Sequence, residues 1–218
     1  MSKPPSHEDP GPAVSGRPDS ARHRPPPTSQ PAFADGPPWD IGRPQPALLA
    51  LAHQGALRGR VLDVGCGTGE HTLMAAAARL DATGIDLADE ALRTAGRKAR
   101  ERGLAARFLR HDALRLSELG ELFDTALDSL LLHAFDAPDR AAYAAGLRTV
   151  LRPGGRLFVL GYSDRHTGEP DVPHKLSRAD IETCFSDGWR LEAVSATVCL
   201  TRRHADGVAA WLVTCTRI

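Results

Sequence analysis

The residues best placed to do chemistry in this chain are Asp63, the glycines at 65, 67 and 69, Asp86, Asp112, Asp128 and His133. The stretch Val61-Leu62-Asp63-Val64-Gly65-Cys66-Gly67-Thr68-Gly69-Glu70 passes from apolar residues through an acid into a glycine-rich loop. Gly65 and Gly67 allow a sharp turn and a close approach of backbone to ligand, because no Cβ intrudes. A helix expected from Glu70 offers free N–H groups at its start. The combination describes a nucleotide-type site at the carboxyl end of the first strand of an α/β sheet. A glycine-rich turn without a ligand is the plainer alternative.

Spacing narrows the ligand. A dinucleotide fingerprint reads G-x-G-x-x-G/A, and Glu70 occupies its third position, where its charge would oppose a pyrophosphate. That weighs against a nicotinamide-dependent oxidoreductase. The spacing is G-x-G-x-G, and Asp63 upstream suits a ligand bearing an ammonium group. Asp86 lies 17 residues beyond Gly69, at the expected tip of a second strand. A carboxylate there accepts two hydrogen bonds from ribose hydroxyls. Alternatively it caps the following helix, a task open to Asp89 as well.

These residues need a scaffold that alternates strands and helices. Apolar patterning predicts a helix from Pro46 to about Gly55, with Leu48, Leu49, Leu51 and Ala52 turned inward. It then predicts strand Arg60–Val64, helix Glu70–Ala78, strand Asp81–Ile85, helix Ala88–Arg102, strand Ala106–Leu109 and strand Phe123–Leu127. A helix from Pro138 to Leu151 follows, started by Asp136 and Pro138. Leu151-Arg152-Pro153-Gly154-Gly155 is expected to stop that helix and reverse the chain into strand Arg156–Gly161. Ser177 and Asp180 open a further helix, ended by Gly188. Trp189–Leu200 and Val208–Ile218 read as two long strands, with uncertain register.

The glycine loop, the acids at the strand tips and L-R-P-G-G-x-L together resemble class I S-adenosylmethionine (SAM)-dependent methyltransferases. Pro38-Trp39-Asp40-Ile41-Gly42-Arg43-Pro44-Gln45 is similar to a stretch of the small-molecule members related to the thiopurine and halide/thiol methyltransferases. The resemblance covers roughly residues 37–218. It implies a Rossmann-like, doubly wound, mostly parallel seven-stranded sheet ending in an antiparallel hairpin. It implies SAM as cofactor and a small-molecule acceptor, with hydroxyl, nitrogen or thiol of a small aromatic or heteroaromatic compound as candidate atoms, in secondary metabolism. The expected cofactor contacts are Asp63, Gly65, Cys66, Gly67, Gly69, Asp86, Leu87, Asp112, Ala113 and Asp128. Asp112 would meet the adenine amine; a solvated turn is its alternative. Trp39 and Arg43 would form part of a lid, 36–56, although Trp39 also suits the edge of a core.

Expected acceptor contacts are Trp39, His133, Tyr162 and His166. His133 and Asp128 are the catalytic candidates. Histidine is the side chain best matched to taking a hydroxyl proton near neutral pH, and such a base contributes about 10²–10⁴-fold. A thiolate or aromatic nitrogen acceptor would need it less, and a lone histidine also serves as a hydrogen-bonded structural residue. Asp128-Ser129-Leu130-Leu131 carries neither a catalytic cysteine nor the N/D-P-P-aromatic tetrapeptide of DNA-base methyltransferases. The alternative from another class is a methyltransferase-fold protein that binds SAM without methylating, as scaffold or cyclisation catalyst.

Composition sets outer bounds. The chain has 218 residues, enough for one domain with a buried core. Its 27 Lys+Arg balance 27 Asp+Glu, which argues against a nucleic-acid partner. No apolar run approaches about 18 residues, and no secretory leader is evident, so no membrane partner and a cytoplasmic location are expected. The four cysteines show no C-x-x-C spacing, and no metal is expected. Thirteen of the 17 prolines precede residue 47, so 1–35 is expected to be a disordered tail and 36–218 the folded domain. Oligomeric state is not legible.

Overall fold

The computed structural model describes residues 36–167 and 175–218. The expected tail, 1–35, and part of the polar loop after Tyr162 lie outside the described residues.

The helices are Pro46–His53 (α1), Glu70–Ala77 (α2), Asp89–Glu101 (α3), Ala137–Val150 (α4) and Arg178–Cys184 (α5). The strands are Arg60–Val64 (β1), Asp81–Asp86 (β2), Arg107–Arg110 (β3), Phe123–Ser129 (β4), Leu151–Tyr162 (β5), Trp189–Cys199 (β6) and Val208–Arg217 (β7). They form one seven-stranded sheet in the order β3-β2-β1-β4-β5-β7-β6. Strands β1 to β5 run parallel, and β7 is antiparallel to both β5 and β6. The expected Rossmann-like α/β fold with a terminal antiparallel hairpin is the fold found. The order reverses between β1 and β4, so a cleft opens beyond their carboxyl ends.

The buried strands β1 and β4 feed two cores. On one face Leu62, Val64 and Ala126 pack against Tyr143, Leu147 and Val150 of α4 and Ile181 of α5. On the other, Val61, Leu127, Phe158 and Leu160 pack with Leu48 of α1 and Met74 and Ala75 of α2. Burying this apolar area contributes about 25 cal/mol per Å² and fixes both helix layers against the sheet. Asp136 caps α4 by accepting from Asp139 N at 3.0 Å. The expected capping box of α5 forms, with Ser177 and Asp180 each accepting from the other's backbone N–H.

Several boundaries differ from expectation. Only Leu48 of α1 is fully buried, because the helix covers the sheet with one narrow stripe. Leu151-Arg152-Pro153-Gly154-Gly155 does not form a reversal outside the sheet. Leu151 pairs with Phe123, the Pro-Gly-Gly segment bulges, and pairing resumes at Arg156 with Thr125. Neither Asp86 nor Asp89 caps α3: its N-cap residue is Ala88, and Asp89 faces Arg110 at 3.5 Å. Two 3₁₀ segments, Ala113–Leu119 and Leu132–Ala134, follow β3 and β4 where periodicity gave no signal. Among the described residues no helix is long and apolar enough to cross a membrane.

Candidate active site

The loop between β1 and α2 is left-handed at Gly65, Gly67 and Gly69, with φ of 69°, 52° and 87°. The three glycines serve different ends. A Cβ on Gly69 would lie 2.7 Å from Ala95 Cβ, and one on Gly65 would lie 3.0 Å from Leu131 Cδ2. A Cβ on Gly67 would meet nothing within 4 Å, so that backbone faces open space. Cys66 N donates to Ile85 O at 2.9 Å. Burial pushes the Cys66 thiol far up, so it is no nucleophile near neutral pH.

Each expected acid has a definite place. Asp86 Oδ2 accepts from Gly67 N and Oδ1 from Ala88 N, both at 2.8 Å. Asp112 accepts from Leu114 N at 2.9 Å and begins the first 3₁₀ segment, with Ala113 next to it. Asp63 is buried beneath the glycine loop, where its Oδ2 accepts from Thr72 Oγ1 at 2.6 Å. Burial raises its carboxyl above the ordinary range, opposed by His71 and by the Thr72 hydroxyl. Asp128, fully buried at the tip of β4, accepts from Leu131 N at 2.9 Å and Leu132 N at 3.1 Å. Burial pushes it up to about 7 against the pull of those N–H groups. Its carboxylate shapes the turn that carries His133. Leu130 in that turn has φ of 68°, a costly conformation for leucine, of the kind often held at functional sites.

Glu70 lines the cleft, but its carboxylate is taken up by cations of the chain. It is held by Lys98 Nζ at 2.8 Å and by Arg102 at 2.8 and 2.9 Å. Lys98 Nζ also donates to Thr68 Oγ1 at 2.7 Å, and Thr68 Oγ1 donates to Asp40 Oδ2 at 2.8 Å. The Pro-Trp-Asp segment is thereby tied through the glycine loop to α3.

A cavity of about 640 Å³ occupies the cleft. One half is walled by Gly65, Cys66, Gly67, Thr68, Asp86 and Ala88. The other half is walled by Trp39, Arg43, Leu130, Leu131, His133 and Tyr162. The rings of His133 and Tyr162 stack, with centroids 4.7 Å apart and planes at 29°. Of the residues singled out in the sequence, Trp39, Arg43, Gly65, Cys66, Gly67, Asp86, His133 and Tyr162 share this wall. Asp63, Gly69, Leu87, Asp112, Ala113, Asp128 and His166 are not on it. His166 lies behind it, its ring edge-on to His204 at 5.9 Å and its Nδ1 accepting from Ala209 N at 3.4 Å. Thr201, Arg203 and His204 of the β6–β7 loop also line the cavity, as do Gln45 and His71. The sequence flagged none of these five individually. The loop carried only polarity as a signal, and Gln45 only its place beside the Trp39 stretch. Among the described residues no group of three or more His, Cys, Asp or Glu side chains could hold a metal ion.

The glycine loop open at Gly67, Asp86 on the next strand tip and the His133 and Tyr162 rings thus face one continuous cavity. Residues 61–155 match the family described as a methyltransferase domain. A 2-heptyl-1-hydroxyquinolin-4(1H)-one methyltransferase of Mycobacteroides abscessus is 34% identical over 178 residues, 80% of this chain and 76% of that protein. A probable thiol methyltransferase 2 of Arabidopsis thaliana is 32% identical over 149 residues, 66% of this chain and 65% of that protein. A solved structure concerned with conversion of a disulfide bond into a thioacetal group during echinomycin biosynthesis superposes with a TM-score of 0.76 at 38% identity, covering 83% of this chain and 85% of that one. The chain belongs to the methyltransferase family and is related to the thiol methyltransferases. It is an enzyme of that class, and its cofactor is S-adenosyl-L-methionine.

Proposed function

We propose that this enzyme moves the methyl group of SAM to a hydroxyl, nitrogen or thiol of a small aromatic or heteroaromatic molecule. The observation that carries this reading is the chamber beyond the glycine loop, faced by the indole of Trp39 and by the stacked His133 and Tyr162 rings. Flat apolar faces favour a flat acceptor. The relative named for a hydroxyquinolinone acts on such a flat heteroaromatic, and the one named for thiols supports a thiol as an accepting atom.

When bound, the cofactor supplies a methyl group on a positively charged sulfur. The chain's own residues hold, orient and exclude water. Gly65 to Thr68 and Asp86 would hold the cofactor, the Asp86 carboxylate accepting from ribose hydroxyls beside its bonds to Gly67 N and Ala88 N. Asp63, beneath the loop, stabilises the ammonium end through the loop it supports. Asp112 and Ala113 do not line the cavity, and would act on the adenine from the start of the first 3₁₀ segment. Residues 36–56 serve as a lid on the domain 36–218, with Trp39 and Arg43 over the cleft. The same walls would orient the acceptor toward the methyl group in a site closed to water. For a hydroxyl acceptor, the proton released as the O–C bond forms goes to His133. Asp128 acts through the 129–132 turn to set His133, since its own carboxylate is covered.

The test is a screen of small aromatic alcohols, amines and thiols with SAM, scored by release of S-adenosylhomocysteine (SAH). Turnover on one such class supports the reading. Tight SAH binding with no turnover on any class contradicts it and favours a SAM-binding protein that does not methylate.

A further inference from the structure

Gln45 is 2% exposed and joins three parts of the site. Its backbone N donates to His71 Nε2 at 3.0 Å, in a buried contact with α2. Its side chain pairs twice with one residue at the end of β6: Nε2 donates to Leu200 O, and Oε1 accepts from Leu200 N, both at 2.9 Å. Leu200 immediately precedes the loop that brings Thr201, Arg203 and His204 to the cavity. Nearby, Arg202 N donates to Pro38 O at 2.8 Å. The segment bearing Trp39 and the loop bearing Arg203 are therefore fastened to each other, and both are fastened to the helix that starts at the glycine loop.

We propose that Gln45 and neutral His71 are positioning residues that lock residues 36–45 and the 201–207 loop over the cofactor and acceptor halves of the cavity as one unit. The proposal rests on the reading that this cavity takes SAM. To accept from Gln45 N, His71 Nε2 must carry its lone pair, so the ring proton sits on Nδ1. A proton on Nε2 would set two donors against each other with no acceptor between them. The charged groups that act on the ring are Asp63 on β1 and Glu70 on α2, and both favour protonation. Burial outweighs them and lowers the His71 pKa, which keeps the latch formed near neutral pH. Acidification protonates His71 and releases Gln45. Leaving that buried amide without an acceptor is costly, so loosening is favoured.

The experiment is SAH titration calorimetry with the full chain, from pH 8 down to the lowest pH at which it stays folded, since burial holds His71 below its ordinary 6.5, together with the acceptor KM. His71→Phe removes the acceptor and is expected to weaken SAH about tenfold or more at every pH. In His71→Gln a carbonyl that does not titrate replaces Nε2, so affinity stays within about threefold of wild type at pH 8 and loses the acid weakening that wild type shows. Gln45 has φ of −62° and ψ of 134°, a conformation proline adopts without strain. Gln45→Pro deletes the N–H and sets a ring carbon where that hydrogen faced His71, so it breaks the bond and crowds the imidazole, while Gln45→Ala deletes only the side chain. The proline variant is expected to bind SAH more weakly than the alanine variant, and both are expected to raise the acceptor KM more than they lower kcat. The proposal is overturned if His71→Phe and Gln45→Pro bind as wild type does, or if His71→Gln weakens in acid as wild type does. A wild-type protein that ignores SAH removes the cofactor assignment and this proposal together. Binding indifferent to all four substitutions removes this proposal alone.

Discussion

Asp86 Oδ2 accepts a hydrogen bond from Gly67 N at 2.8 Å, so the tip of β2 is bonded to the open glycine of the loop after β1. The carboxylate proposed for ribose and the backbone proposed for the methionine end are thus held in register by the chain's own hydrogen bond. Preorganisation of this kind cuts the ordering cost of binding.

The chamber predicts how His133 behaves. With a hydroxyl acceptor, His133→Ala should lower kcat by about 10²–10⁴-fold near neutral pH. It should also abolish the acid limb of the pH–rate profile, because that limb reports loss of the base by protonation. With a thiol acceptor already ionised, the same variant should lose little. Profiles for both acceptor types check this; an unchanged acid limb with a hydroxyl acceptor removes His133 as base.

Asp128 predicts a dependence of stability on pH. Its folded pKa, about 7, lies above the ordinary 3.8, so the folded protein holds a proton that the unfolded chain has already released. Stability should therefore fall as pH rises from about 4 to about 7. Asp128→Asn, whose carbonyl still accepts from Leu131 and Leu132 N, should lack that decline. Urea unfolding of both proteins across this range measures it; parallel curves contradict the assignment.

Glu70 runs the opposite way. Burial alone would raise its pKa, but Arg102 and Lys98 outweigh it and hold the carboxyl below the ordinary 4.5. Its contribution is present above about that value and disappears as pH falls through the lower folded value. Glu70→Gln should cost about 1–2 kcal/mol at pH 7, moderated by the solvent access of Arg102. Denaturant midpoints at pH 7 and pH 3 test this, the difference between the proteins shrinking at the lower pH.

Gly69 predicts a packing penalty. An alanine there combines φ of 87° with a Cβ 2.7 Å from Ala95 Cβ. Gly69→Ala should destabilise by about 2 kcal/mol or more, while Gly67→Ala, with nothing within 4 Å, should cost only the backbone strain of about 1–2 kcal/mol. Equal thermal shifts for the two variants would contradict this division of roles.

Much of this architecture was legible because its causes are local. Val61 to Val64 is a buried parallel strand and therefore an apolar run, and glycines that must be left-handed stand out at 65, 67 and 69. Asp86 was legible for the same reason, as an acid ending a strand. What escaped depends on contacts distant in sequence. The Pro153-Gly154-Gly155 bulge exists because Leu151 stays paired with Phe123. The Leu132–Ala134 turn exists because the Asp128 carboxylate gathers two N–H groups. His71 and Gln45 meet across 26 residues, and Arg203 reaches the cavity only because β6 and β7 pair as a hairpin. No periodicity in the chain encodes those meetings.

The central claim is that the cleft at the glycine loop holds the cofactor, with Asp86 on its ribose. Titration calorimetry of SAH into wild type and Asp86→Ala tests it most directly. The expected result is one site per chain in wild type and an affinity several-fold to about hundredfold weaker in a folded Asp86→Ala variant, since two charge-assisted hydrogen bonds are lost. No binding by wild type, or equal affinity in the two proteins, would contradict it.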